Sequence, residues 1–331
     1  MSRSMRVRFW ATFILVLPVI GVSCCAQVTK VNTEDLMETA LDMKKAAATA
    51  DKLSPDGSKY CHWGIATLDA SDLDSAVSRF LLSRGSQVVA DDISASKMWH
   101  VSLVADDLIN QLELRLQECN LGMRLNHDIY NVAVAGKPML SKLQDAKNRF
   151  ARQAFQQTQW QESSHAKLFF PSTTDAADER VGTPAAQANE ILAVSRGVRE
   201  AWESAGKVII EADATKECLR FGPSDKRIEP VELDKLIERI SRLPRSESYV
   251  HAADMWLVAM AAETPKLAVQ YALEACAYSA LWKKKAKKVA DAAVDSDKRL
   301  RGAVARFSAL ALKQTEWEER VAQNQATIQE Q

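Results

Sequence analysis

Turn-forming residues are scarce in this chain of 331 residues, which contains 11 glycines and 9 prolines. A β-sandwich or β-barrel needs many tight turns, so this scarcity argues against both architectures. Aromatic residues make up only 7% of the chain, while apolar residues reach 47%. That apolar share is typical of folded proteins and not of disordered ones. The composition therefore predicts a folded, mostly helical protein.

Sequence motifs of catalysis and cofactor binding are also missing. The chain contains no glycine-rich nucleotide loop, no H-E-x-x-H zinc motif and no G-x-S-x-G nucleophile turn. Its histidines are never three or four residues apart, so no helical metal pair is encoded; they are His62, His100, His127, His165 and His251. A metal site formed by histidines from different helices remains an alternative. The sequence itself predicts no catalytic residue, no cofactor, no metal ligand and no enzymatic activity.

The N-terminal segment predicts export. Three arginines, Arg3, Arg6 and Arg8, precede an apolar stretch at residues 9–22. This stretch is too short to cross a bilayer comfortably, but it has the length of the apolar region of a signal peptide. Small residues follow it, so we expect cleavage near Ala26.

The expected organisation has three parts. Residues 1–26 are a signal peptide, residues 27–325 form a single elongated helical-bundle domain, and residues 326–331 are a polar C-terminal tail. The mature protein is then secreted or held at the cell surface, with no transmembrane helix. Without the three N-terminal arginines, 40 basic residues face 43 acidic ones. This near balance does not indicate a nucleic-acid partner.

Four cysteines remain after cleavage: Cys61, Cys119, Cys218 and Cys276. In an exported chain they predict two disulfide bonds. Joining neighbours along the sequence, Cys61 with Cys119 and Cys218 with Cys276, is one of three possible pairings.

Apolar residues recur at alternating three- and four-residue steps along most of the chain, as in amphipathic helices. Asn32 or Thr33 is expected to cap the first helix, and Ser94 or Ser96 a later one. Gly136 and Pro138 are expected to interrupt the helical pattern. The segment from Pro265 to about Ala322 reads as one very long helix with a heptad from Leu300 to Val321. The fold class predicted is all-α, an elongated antiparallel helical bundle with long, coiled-coil-like helices.

Two predicted loops carry aromatic residues. The segment at 53–70 contains Tyr60 and Trp63, and the segment at 162–186 contains Phe169 and Phe170. Exposed aromatic residues would form a contact patch. The alternative for Phe169 and Phe170 is that they fold back and close one end of the bundle.

The export signal, the alanine-rich heptads and the four cysteines together resemble the helical surface proteins of trypanosomes. That group includes variant and invariant surface glycoproteins and nutrient receptors. The resemblance implies an elongated bundle projecting from a cell surface, with ligand contact at its distal end or flank.

The expected function is that of an exported, non-enzymatic binding or surface-coat protein that contacts a protein ligand or a partner subunit. One alternative is a structural protein that oligomerises through its long C-terminal helix. The other is an enzyme with a site assembled across helices.

Overall fold

The computed structural model describes residues 31–51, 70–82, 93–122, 127–164, 188–214, 218, 231–241, 250–280 and 283–329. All regular structure in these ranges is helical, which confirms the all-α prediction. The helices are α1 (Thr33–Asp51), α2 (Ser71–Leu82), α3 (Ala95–Gly122), α4 (His127–Ser164), α5 (Ala188–Ala214), α6 (Val231–Ser241), α7 (Ala252–Ala261), α8 (Glu263–Ala280) and α9 (Lys284–Gln329). None of these described helices is both long and apolar enough to cross a membrane.

Two predicted helix starts are confirmed by their capping contacts. The side-chain oxygen of Asn32 accepts a hydrogen bond from the Glu34 backbone N–H at 3.0 Å. At the start of α3, the Ser94 hydroxyl oxygen accepts from the Lys97 N–H at 3.2 Å. Each contact satisfies a backbone donor that the first turn of a helix cannot pair internally.

The prediction of one helix from Pro265 to about Ala322 is wrong, because α8 ends at Ala280 and α9 begins at Lys284. The two helices pack against each other as a hairpin. This arrangement buries Val269 and Cys276 of α8 and Val289 and Ala293 of α9. A straight helix would leave much of that apolar surface in water. The sequence has no glycine or proline at residues 281–283 that would predict the end of a helix there.

The predicted interruption at Gly136 and Pro138 is also wrong. Helix α4 runs continuously past both residues, with Pro138 inside it. Gly136 is buried against the side chain of Leu116 in α3, at a place where a β-carbon would overlap that side chain. The glycine therefore serves the close approach of α3 and α4 and does not end a helix.

An internal repeat, which was not among the sequence predictions, relates the two halves of the chain. Gln270 lies 157 positions after Glu113, and the same offset aligns α3 with α7 and α8, and α4 with α9. Identical residues then coincide along both helices: Ala95 with Ala252, Met98 with Met255, Trp99 with Trp256, Phe150 with Phe307, Gln157 with Gln314, Thr158 with Thr315, Trp160 with Trp317, and Glu162 with Glu319.

Helix packing follows the same repeat. In the first repeat (α1–α4), α1 packs on α4, and α2 packs on α3. In the second repeat (α5–α9), α5 packs on α9, and α6 packs on α7. Between the repeats, α3 contacts α9 and α4 contacts α7. Residues of both repeats share one continuous apolar core.

The centre of the contact between the repeats is a pair of tryptophans. The rings of Trp99 and Trp256 stack with centroids 3.7 Å apart and planes 7° from parallel. Each indole N–H donates to the threonine of its own repeat, Trp99 to Thr158 at 2.9 Å and Trp256 to Thr315 at 3.0 Å. Because each residue of the stack is the counterpart of the other, the two repeats meet as if across a two-fold axis.

Candidate metal centre at the contact between the repeats

Each repeat caps a helix of the other with a glutamate. Glu319 of α9 accepts a hydrogen bond from the Ser96 backbone N–H at 3.1 Å. Glu162 of α4 accepts one from the Ala253 backbone N–H at 2.8 Å. Glu162 is the counterpart of Glu319 and Ala253 is the counterpart of Ser96, so the two contacts are reciprocal. Both carboxylates lie at helix N-termini, where the helix dipole favours negative charge.

The surroundings of the two glutamates differ. In the serine site, formed by Ser94, Ser96, Gln161 and Glu319, one carboxylate is surrounded by neutral donors. Glu319 accepts from the Ser94 hydroxyl at 3.0 Å, the Ser96 hydroxyl at 2.5 Å and the Gln161 amide at 3.4 Å. These contacts satisfy the half-buried carboxylate of Glu319 with side-chain and backbone donors alone.

In the histidine site, formed by Glu162, His251, Ala253 and Glu318, two carboxylates and an imidazole meet. One ligand atom from each of Glu162, His251 and Glu318 lies within 4.8 Å of the others. His251 Nδ1 is 3.6 Å from Glu162 Oε2. Glu318 Oε1 accepts a hydrogen bond from the Ala252 backbone N–H at 3.0 Å. The three side chains come from α4, from the residue preceding α7 and from α9.

Burial and mutual repulsion dominate the electrostatics of the histidine site. Burial, together with the neighbouring Glu318 carboxylate, raises the pKa of Glu162 to about 9. Burial also lowers the pKa of His251, although Asp254 opposes that shift. The imidazole is therefore neutral at neutral pH, which is the form that binds metal ions. Two carboxyl groups this close need a shared proton or a cation between them.

A second buried polar cluster lies at the contact between the repeats. Lys147 and Lys266 bind the Asp106 carboxylate at 2.9 and 3.2 Å. Both lysines also bind Glu263, the counterpart of Asp106, at 3.3 and 3.2 Å. Burial opposes the ionisation of Asp106, but the two ammonium groups outweigh it and hold the pKa of Asp106 well below its usual range. This cluster is an internally balanced set of ion pairs.

Arg301 completes the polar interior. Its guanidinium binds Glu113 of α3 at 2.7 Å and Asp297, one turn away on α9, also at 2.7 Å. Gln144, the counterpart of Arg301, donates to the same Glu113 carboxylate at 2.6 Å. These contacts join α3 and α4 to α9 and fix the register between the repeats.

The predicted C-terminal heptad is used within the chain. Its apolar residues are all buried against the protein's own helices; they are Leu300, Ala303, Phe307, Leu310, Trp317 and Val321. That seam is therefore not available to the helix of a second copy.

One of the candidate disulfides is present, joining Cys218 to Cys276 of α8. Cys119 lies in α3, but its side chain is outside the described residues. The other sequence-predicted site residues also lie outside them: Cys61, Tyr60, Trp63, Phe169 and Phe170.

Sequence reasoning missed the meeting of Glu162, His251 and Glu318. These residues are far apart along the chain, and no helical spacing connects them. The repeat is the signal that could have found them. With the two halves aligned, His251 and Glu318 stand where the first repeat has Ser94 and Gln161.

Comparisons with known proteins add no relative, since no family model, no curated protein and no solved structure matches the chain.

Proposed function

We propose that this protein is an exported, non-enzymatic binding or surface-coat protein that contacts a macromolecular partner outside the cell. Its helical repeats form a scaffold, and the segments that connect the helices carry the contact residues. Secretion, or display at the cell surface, follows cleavage near Ala26.

The Cys218–Cys276 disulfide is the observation that carries this proposal. Both cysteines are buried, and the bond ties residue 218, which lies beyond the end of α5, to α8. Disulfides persist mainly in oxidising compartments such as the extracellular space. The bond therefore supports the export that the N-terminal segment predicts.

The locked packing of the repeats supports a scaffold role. Reciprocal glutamate caps, the tryptophan stack and the buried ion pairs hold the helices in one arrangement. Rigid elements of this kind commonly position binding residues on the segments between them. We therefore assign contact to two sequence segments. One follows α4 and contains Phe169 and Phe170, and the other follows α1 and contains Tyr60 and Trp63.

The test compares binding of the purified, labelled protein to the cell surface and extracellular proteins of its native source. The double substitution Phe169→Ser and Phe170→Ser is expected to abolish saturable binding while leaving the helical circular dichroism signal intact. The matched control is Ile210→Ser, which changes an apolar side chain that is 70% exposed on α5. This control should bind like the unmodified protein.

Undiminished binding by the double variant would show that Phe169 and Phe170 are not part of the contact surface. Export is tested separately by the intact mass of the protein recovered outside the cell. A mass that still includes residues 1–26, with all six cysteines of that chain present as free thiols, would overturn the extracellular proposal.

A further inference from the structure

The geometry of the histidine site suits a metal ion. Zinc binds histidine nitrogen and carboxylate oxygen at about 2.0–2.2 Å, so tetrahedral ligand atoms lie roughly 3.3 Å apart. The three candidate ligand atoms, from Glu162, His251 and Glu318, all lie within 4.8 Å of one another. Small rotations of these side chains would bring them to bonding distance of one ion.

The histidine site and the serine site share one structural role but differ in the side chains that surround the capping glutamate. Both sites cap a helix N-terminus of the other repeat with a glutamate. The serine site achieves this with two hydroxyls and an amide around one carboxylate. At the equivalent positions the histidine site has His251, Ala253 and Glu318.

That exchange removes two hydroxyl donors and adds an imidazole and a second carboxylate. Capping and packing do not require the exchange, because the serine site fulfils both roles with one carboxylate surrounded by neutral side chains. Bringing a second carboxylate into a buried place carries a desolvation cost unless a proton or a cation compensates it.

Gln314 provides an independent observation on the same face of α9. Its side chain is completely buried, and neither amide atom has a hydrogen-bond partner among the described residues. Its counterpart Gln157 donates to the Ile93 backbone oxygen at 2.9 Å, beside Ser94 of the serine site. Gln314 lies one turn before Glu318 on α9, so both side chains are on the same face of that helix.

We propose that Glu162, His251 and Glu318 bind one divalent transition-metal ion of the zinc class. An imidazole with two carboxylates is a donor set that such ions accept. Three protein ligands leave a further coordination position, which the Gln314 amide oxygen or a water molecule fills. The ion neutralises the two carboxylates and joins α4, the residue preceding α7, and α9 at one point. This inference is independent of the partner proposed above.

The experiment uses the full mature chain, purified without reductant so that disulfides stay formed, and freed of metal with a chelator. Titration with zinc chloride in a calorimeter is expected to show one ion bound per chain. Saturating zinc should also raise the melting temperature, because a ligand at 100 times its dissociation constant adds about 2.7 kcal/mol to the free energy of unfolding.

The decisive variant copies the serine site into the histidine site through His251→Ser, Ala253→Ser and Glu318→Gln. Since the chain already folds with these residues at the equivalent positions, we expect the variant to fold. Loss of a residue that only supports a metal ligand lowers metal affinity by up to roughly 100-fold. Because this variant removes two ligands, its affinity for zinc should fall by more than that. The matched control, His100→Ser, changes an exposed histidine on α3 and should bind zinc like the unmodified protein.

Two outcomes would overturn the proposal. One is a folded, unmodified protein that binds no stoichiometric zinc. The other is a variant that binds zinc as tightly as the unmodified protein, which would place the ion elsewhere. If the triple variant fails to fold, Glu318→Gln alone gives the same test, because it replaces a ligand with an isosteric amide.

Discussion

At the scale of single residues, polar groups buried between the repeats specify how the helices meet. Trp99 and Trp256 each bury an indole, and each indole N–H has a threonine hydroxyl as acceptor. The threonine in turn donates to the backbone carbonyl one turn earlier, as Thr315 does to Ala311 at 2.8 Å. A buried donor that loses its acceptor incurs most of its desolvation cost.

Thr315→Val is therefore expected to lower the free energy of unfolding by about 1–3 kcal/mol, since it leaves the Trp256 N–H without its acceptor. Valine has nearly the shape of threonine, so little packing changes. Urea denaturation followed by circular dichroism measures the difference.

Thr49→Val is the matched control for that substitution. The Thr49 hydroxyl makes the same contact with a backbone carbonyl one turn earlier, but on the exposed side of α1. We expect its effect to stay within about 0.5 kcal/mol. Equal effects of the two substitutions would mean that the Trp256 hydrogen bond contributes nothing to stability.

At the scale of helices, local sequence signals predicted where helices start better than where they are interrupted. Asn32 and Ser94 cap their helices as predicted, because a cap acts within one turn of the residue that provides it. Pro138 failed as a break, since α4 is held by packing elsewhere along its length and tolerates the loss of one hydrogen bond. Gly136 failed for another reason, namely that its role is contact with Leu116 of a different helix.

Gly136→Ala is expected to destabilise the protein by about 1–3 kcal/mol, because its new methyl group overlaps the buried Leu116 side chain. Gly206→Ala is the matched control within α5, where a β-carbon meets no atom within 4 Å. That change should stabilise the protein by about 0.5–1 kcal/mol, since alanine favours the helix. Urea denaturation of both variants measures this difference. Stabilisation by both substitutions would contradict the close approach of α3 and α4.

At the scale of the whole molecule, the internal repeat organises the fold. Equivalent helices pack equivalently within each half, and reciprocal contacts join the halves. The repeat also places the four cysteines at equivalent positions in the two halves. Cys218 and Cys276, which are bonded, are the counterparts of Cys61 and Cys119.

The repeat therefore predicts a Cys61–Cys119 disulfide. Peptide mapping by mass spectrometry without reduction should recover one cross-linked pair containing these two residues and another containing Cys218 and Cys276. Replacing Cys61 and Cys119 together by serine should lower the free energy of unfolding by about 4 kcal/mol in the chain-entropy description. Alkylation of Cys61 or Cys119 in the native, unreduced protein would show that the bond is missing.

Composition and local spacing were enough to specify the helical class, the caps, the cysteine candidates and most of the buried stripes. These properties depend on the overall residue content and on residues within one or two turns of each other. The repeat is also written in the amino-acid sequence, because its identical tryptophan, threonine and glutamate positions align when one half of the chain is laid against the other.

Three features depended on tertiary packing. Helix α8 ends at Ala280 and α9 begins at Lys284, and Gly136 contacts Leu116. The third is that Glu162 of one repeat lies beside His251 and Glu318 of the other. The physical reason is that each of these outcomes requires contacts between distant parts of the chain. Burial of apolar faces chooses which helices meet, and only then do side chains separated by many turns come within reach of a single ion.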